Sequence, residues 1–215
     1  MILYIVRHGE TEWNKVKRLQ GQTDIPLAEE GIRLARETGI GMQKLPIDLV
    51  VSSPLKRAIQ TAQLLTEGRE VEILTDERII EISFGEWEGE CILDSEVLPV
   101  EFRRMFYEDP LHCVCPPGGE TFDAVCRRTG AFYRSLLENP EYMDKNILIS
   151  THGAASRCLL TQFYEDKEDI WRGGVPKNCA VTIVEVGKEG ASVLEKDKLF
   201  YESDEAVSSK IRGQS

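Results

Sequence analysis

No stretch of this chain approaches the run of ~20 apolar residues that a membrane-spanning helix requires, and the apolar start, Met1 to Val6, is too short for a secretory leader. Positive charge is scarce. Against 37 Asp and Glu stand 26 Lys and Arg, a net charge of -11. The average surface therefore repels nucleic acid and anionic membranes, and any phosphate-binding patch has to be local. The six cysteines have no paired C-x-x-C spacing, and Cys113-x-Cys115 alone is poor zinc-finger grammar. The acidic residues never cluster with the histidines at ligand spacing, so no metal and no cofactor is expected. Scattered thiols point to a reduced, cytoplasmic protein, a disulfide or metal between Cys113 and Cys115 being the competing reading.

What is present suits one globular domain over residues 1–215, with 41% hydrophobic residues to build its core. Ile2 to Val6 reads as a buried strand, and further strands are expected at Leu49 to Ser52, Val71 to Leu74, Asn146 to Ser150 and Ala180 to Val186. Amphipathic stretches alternate with them: about Ala28 to Gln43, Leu55 to Thr66, Glu120 to Leu137 and Ala154 to Tyr164. That order predicts an α/β fold with a mostly parallel sheet between helices. Gly85 to Gly119 carries four prolines around a short helix near Val100 to Tyr107 and reads as an insertion, with a helical lid over about 90–118. Residues from about 200 to 215 read as a frayed tail. The strand at Ala180 to Val186 is either internal or an edge open to a second copy, which leaves a homodimer as one expectation.

Four constellations fall at or just after strand ends, where ligands of open α/β sheets bind. Arg7-His8-Gly9-Glu10-Thr11 follows the first strand, with Asn14 and Gln20-Gly21 on the next loop. Ser52 and Ser53 lead into a helix bearing Arg57 and Thr61, with Pro54 at its first turn. Glu81 stands among Ile, Phe and Trp neighbours that would raise its pKa. His152-Gly153 closes the fourth strand, before a helix whose N-terminal amides can bind an anion.

In these motifs the chain resembles the histidine phosphatase superfamily, also called the phosphoglycerate mutase-like family. They are Arg7-His8-Gly9-Glu10-Thr11, Ser53 with Arg57 and Thr61, Glu81 before Phe84-Gly85-Glu86-Trp87-Glu88-Gly89, and His152-Gly153. The resemblance covers residues 1 to about 187 and implies a phosphoglycerate mutase-like three-layer fold and a two-step, metal-free phosphoryl transfer. The residue types suit that chemistry on their own account. Neutral imidazole is a good nucleophile near its usual pKa of ~6.5, the role expected of His8. Arg7, Arg57 and His152 supply a cationic cradle for the phosphoryl oxygens, and Asn14 a neutral donor. Glu81, held neutral by apolar walls, protonates the leaving alkoxide and then activates water.

Gln20, Gly21, Gly153 and Glu120 are expected to contact phosphate or substrate. The role of Glu120 is implied by a similar Gly-Glu segment that lines the pocket in phosphatase members. Gly9 is read as letting the backbone approach the phosphate, Phe84 and Trp87 as packing residues, and Lys56 as solvated. His112 is read as a surface residue, although its place in the lid leaves a pocket role open for it, Cys113 and Cys115. A phosphomonoesterase acting on a small phosphorylated metabolite is favoured. The alternatives are a cofactor-dependent mutase or sugar bisphosphatase on the same scaffold, and a non-catalytic phospho-ligand binder. Mutases of the family usually carry a longer insertion with a Lys and paired Arg; here it is short, and a helix would spread Arg103 and Arg104 over different faces. Substrate choice, among sugar phosphates, phosphoglycolate-like acids or α-ribazole phosphate, is assigned to Ile92 through Pro117.

Overall fold

Alternation along the first strand sets up the layers. In the computed structural model, described over residues 1–202, β1 (Ile2–Arg7) turns Leu3 and Ile5 toward one apolar cluster and Tyr4 and Val6 toward another. A strand buried on both faces reads as a continuous apolar run, which is why it carries no polar alternation. β1 pairs in parallel with β4 (Asn146–Thr151), which pairs in parallel with β2 (Leu49–Ser52), and β2 with β3 (Ile73–Thr75). On its other side β1 pairs antiparallel with β5 (Val181–Gly187), and β5 with β6 (Gly190–Lys198), giving the order β3-β2-β4-β1-β5-β6.

A short helix, α1 (Glu12–Lys15), follows β1 behind a capping box formed by Thr11 and Asn14. Helices α2 (Glu29–Gly41) and α3 (Lys56–Leu65) cover the Tyr4 face, with Leu34, Ala35, Ala62 and Leu65 buried against the sheet. The insertion carries α4 (Val100–Glu108). Helices α5 (Phe122–Glu138) and α6 (Gly153–Leu160) cover the Leu3 face through Phe132, Leu136, Leu159 and Leu160. The expected three layers are present.

Three expectations need correction. The strand at Ala180 to Val186 is internal, because a sixth strand, β6, lies outside it; that edge strand is missed because its burial is shallow and its end reads Glu195-Lys196-Asp197-Lys198. The third strand begins at Ile73 rather than Val71, where its register with Val50 of β2 starts. Phe200 and Tyr201, placed in the expected tail, are ordered against the body: Phe200 meets Gly41, and the Tyr201 hydroxyl donates to the Asn178 carbonyl at 2.8 Å. The rest of that expected tail, 203–215, lies outside the described residues.

The insertion has a core of its own. Phe102 and Phe106 of α4 pack with Phe84, Trp87, Phe122 and Trp171, with the Trp87 and Phe102 rings 4.7 Å apart. Phe84 and Trp87 are thus packing residues, as their sequence context suggests.

Two glycines fix how closely α2 approaches the loop after β1. A Cβ on Gly9 would lie 2.6 Å from the Gly31 carbonyl oxygen, and one on Gly31 would meet the Glu10 backbone. This backbone contact by itself requires glycine at position 9. Gly31→Ala is therefore expected to destabilise the protein by about 2–3 kcal/mol through overpacking, read from urea denaturation. Unchanged stability would show that α2 can move away freely.

Candidate active site

Parallel pairing brings the first and last motifs side by side. Arg7 is opposite Thr151 in the β1–β4 register, so His8 and His152 leave adjacent strands together. The His8 amide donates to the Thr151 carbonyl at 2.9 Å, and the two imidazole centroids are 5.2 Å apart. His8 Nδ1 is 2.7 Å from its neighbour's carbonyl, Gly9 O, an oxygen that can only accept; Nδ1 therefore carries the proton and Nε2 the lone pair. Burial, with Arg57 and Arg7 alongside, pushes His8 well below the usual histidine range, so the ring is neutral. His152 is likewise pushed well down, by burial first and then by Arg57 and His8. It offers a neutral N–H, not the cationic charge expected of it. Its Nε2 meets Ser53 Oγ at 2.7 Å, and its Nδ1 is buried without a partner.

Arg57, the second residue of α3, is fully buried. Its Nη1 and Nη2 donate to the carbonyls of Thr23 and Gly21 at 2.8 and 2.7 Å, and its Nε has no partner. Burial brings its pKa down to about 10, which leaves it charged at neutral pH. Thr61, a turn later, accepts from the Gly9 amide at 2.9 Å and so ties α3 to the His8 loop. Arg7 donates through Nη1 to the Pro176 carbonyl, and its Nε is also buried and unpartnered.

Glu81 is not walled by apolar side chains alone. Its carboxylate lies at the N-terminus of α6, where Oε1 accepts from Ala155 N at 2.9 Å and Oε2 from Ala154 N at 3.2 Å. Its own neighbour, Ile82 N, adds a third amide at 3.0 Å. A helix N-terminus favours an anion. A Cβ on Gly153 would meet Glu81 Oε2 at 3.6 Å and Arg7 Nε at 3.8 Å, ordinary contact distances, and Val175 Cγ1 more tightly at 3.2 Å.

These groups face a cavity of about 490 Å³. Arg7, His8, Arg57 and Glu81 line it, as do Asn14, Gln20, Gly21 and Gly153; His152 stands behind His8 and does not. Phe106 and Tyr107 of α4 form part of the wall, so the insertion does border the cavity. Glu120 does not: its carboxylate is drawn to Arg128 at 3.0 Å and to the Ser83 amide at 3.0 Å. His112 is exposed and held by Asp109 at 2.9 Å, and neither it nor its neighbours Cys113 and Cys115 reach the cavity. Both cysteines are free, and the half-buried Cys113 thiol is pushed up to about 11. Among the described residues no group of three or more His, Cys, Asp or Glu could hold a metal, and no helix is long and apolar enough to cross a membrane.

Sequence reasoning passed over several residues that shape the site. Glu88 accepts from the amides of Gln22, Thr23 and Phe84 and so shapes the loop that Arg57 grips. Asn178 Nδ2 donates to the His8 carbonyl at 2.9 Å. A lone Asn ahead of a strand carries no local signal of such a contact.

Two histidines at the ends of central parallel strands, the buried Arg57, the half-buried Arg7 and a helix-capped carboxylate stand together at one end of a phosphoglycerate mutase-like fold. The family model described as histidine phosphatase superfamily (branch 1) matches residues 3–197, and the chain belongs to that family. It is 37% identical over 158 residues to a Bacillus subtilis (strain 168) protein named uncharacterized phosphatase PhoE, covering 74% of this chain and 75% of that one. It is 33% identical over 183 residues to a probable phosphoglycerate mutase GpmB of Proteus mirabilis (strain HI4320), covering 85% and 84%. Among solved structures, Bacillus stearothermophilus YhfR superposes with a TM-score of 0.85 at 30% identity, covering 94% of this chain and 99% of that one. The chain is a histidine-phosphatase-type hydrolase acting on small phosphorylated substrates.

Proposed function

We propose that this phosphatase is a metal-independent phosphomonoesterase that works through a phosphohistidine on His8. One observation carries the reading: Arg7 Nε and Arg57 Nε are buried donors without a partner, on two guanidinium groups that line the cavity beside the neutral imidazole of His8. Buried donors are almost always satisfied, so two together call for an acceptor with several oxygens. A phosphoryl group supplies it.

In the first step His8 Nε2 attacks phosphorus, the P–O bond to the leaving group breaks, and the two guanidinium groups hold the equatorial oxygens. Glu81, which lines the same cavity, passes a proton from its carboxyl group to the departing alkoxide. In the second step the Glu81 carboxylate takes a proton from water, the hydroxyl attacks phosphorus, and the His8–phosphorus bond breaks to give inorganic phosphate. The neutral, Nδ1-protonated form of His8 is the form this cycle needs.

Lys17, Arg18 and Lys177 also border the cavity, against only Glu10 and Glu81 of opposite sign. In a chain with net charge -11 this local reversal suits small anionic metabolites. The similarity to GpmB keeps a mutase as the second reading. Against it, neither Arg103 nor Arg104 borders the cavity; Arg103 donates to the Leu93 carbonyl, and Arg104 pairs with Glu101 and Glu108.

A phosphate-release panel in EDTA, covering sugar phosphates, phosphoglycolate, α-ribazole phosphate and 3-phosphoglycerate, tests the reading. Release is expected to survive EDTA, and quenched turnover to leave an acid-labile phosphoprotein. Activity abolished by EDTA would overturn the metal-free cycle. Interconversion of phosphoglycerates after priming with bisphosphoglycerate, with no phosphate released, would establish the mutase.

A further inference from the structure

Glu81 to Phe84 lie outside any helix or strand, so their backbone groups need partners from elsewhere. Arg128, on α5, meets the Glu81 carbonyl and those just before it. Its Nη1 donates to the carbonyls of Arg78 and Ile80 at 2.9 and 2.6 Å, and its Nη2 to the carbonyl of Glu81 itself at 3.0 Å. The remaining Nη2 proton and the Nε proton go to the two carboxylate oxygens of Glu120, each at 3.0 Å. All five guanidinium donors are thus used. Glu120 Oε2 completes the frame by accepting from the Ser83 amide at 3.0 Å and from Gln22 Nε2 at 3.4 Å.

We propose that Arg128 and Glu120 are a positioning pair for Glu81, bracing the backbone on both sides of it so that its carboxylate meets the α6 N-terminus and the leaving group. Neither residue touches the reacting atoms. The inference rests on the reading above that Glu81 handles the leaving-group proton. A planar fork of five donors is what spans three carbonyls and a carboxylate at once; a lysine ammonium, a point charge with three donors, cannot. A displacement of about 1 Å in a catalytic group costs on the order of 10²-fold.

The test compares two probes, β-glycerol phosphate, whose alkoxide needs a proton, and 4-nitrophenyl phosphate, whose phenolate leaves without one. kcat/KM reports the steps through phosphorylation of His8, so the second half of the cycle does not enter. Arg128→Lys and Glu120→Gln are expected to lower kcat/KM for glycerol phosphate by about 10–100-fold and for nitrophenyl phosphate by less than about 3-fold. Glu81→Gln should show the same bias, larger. The ratio of the two rates in one preparation is independent of how much protein is folded. Equal losses on both probes in the Arg128 and Glu120 variants, with the bias kept in Glu81→Gln, would overturn the positioning role alone. No bias in Glu81→Gln would remove the proton-transfer role of Glu81 and the positioning role with it.

Discussion

His8→Ala is expected to lower phosphate release by about 10⁴-fold or more, because the step that splits a hard displacement into two easier ones is lost with the nucleophile. Inorganic phosphate should still bind, since Arg7 and Arg57 keep their donors in place. Steady-state phosphate release and calorimetric titration with inorganic phosphate read the two quantities separately. Retention of a tenth of the wild-type rate would mean that some other group attacks phosphorus. Loss of phosphate binding along with activity would mean that His8 acts as part of the cradle.

Acid should destabilise this protein earlier than its carboxylates alone would. His8 and His152 are both buried and neutral, with folded-state pKa values well below the usual ~6.5 that they recover when unfolded. Below ~6.5 the unfolded chain therefore binds more protons than the native one. Stability is fully present above that value and is lost as pH falls toward the folded pKa values. Each histidine contributes a slope approaching about 1.4 kcal/mol per pH unit in that window, or about 2.7 for the two together. Exposed His112, which Asp109 raises, acts in the opposite sense from the surface. Carboxylates held low, such as Asp24 and Asp48, lose their contribution only in more acid solution. Urea denaturation at pH 7.5, 6.5 and 5.5 should show the fall, and His8→Asn should roughly halve it. A flat profile over that range would mean that the native state accepts these protons.

The site was legible where chemistry follows the chain locally. Arg7-His8, Arg57 and His152 each sit at or just beyond the end of an apolar strand, and the strand pattern alone places them along one edge of a parallel sheet. Surroundings were less legible. The amides that meet Glu81 belong to α6, distant in sequence, and neighbouring Ile and Phe residues in the chain suggested walls that the fold turns elsewhere. Glu120 was drawn toward substrate by its motif, yet the ion pair with Arg128 turns it to the backbone behind Glu81, and Arg128 stands in no motif at all. Gly9 illustrates a different blind spot, because its constraint comes from the backbone of Gly31 on another element. Strand β6 escaped detection because an edge strand with one wet face and a charged end has little apolar pattern to read.

The central position of β1 bears on the order in which this molecule can be completed. Strand β1 has no sheet partner until residues 146–151 and 181–187 have been made. The nucleophile loop at its end waits longer still, for Asn178 to hold the His8 carbonyl and for Tyr201 to hold Asn178. Such distant pairings close slowly. A nascent chain therefore carries His8 long before the residues that brace its loop have been made.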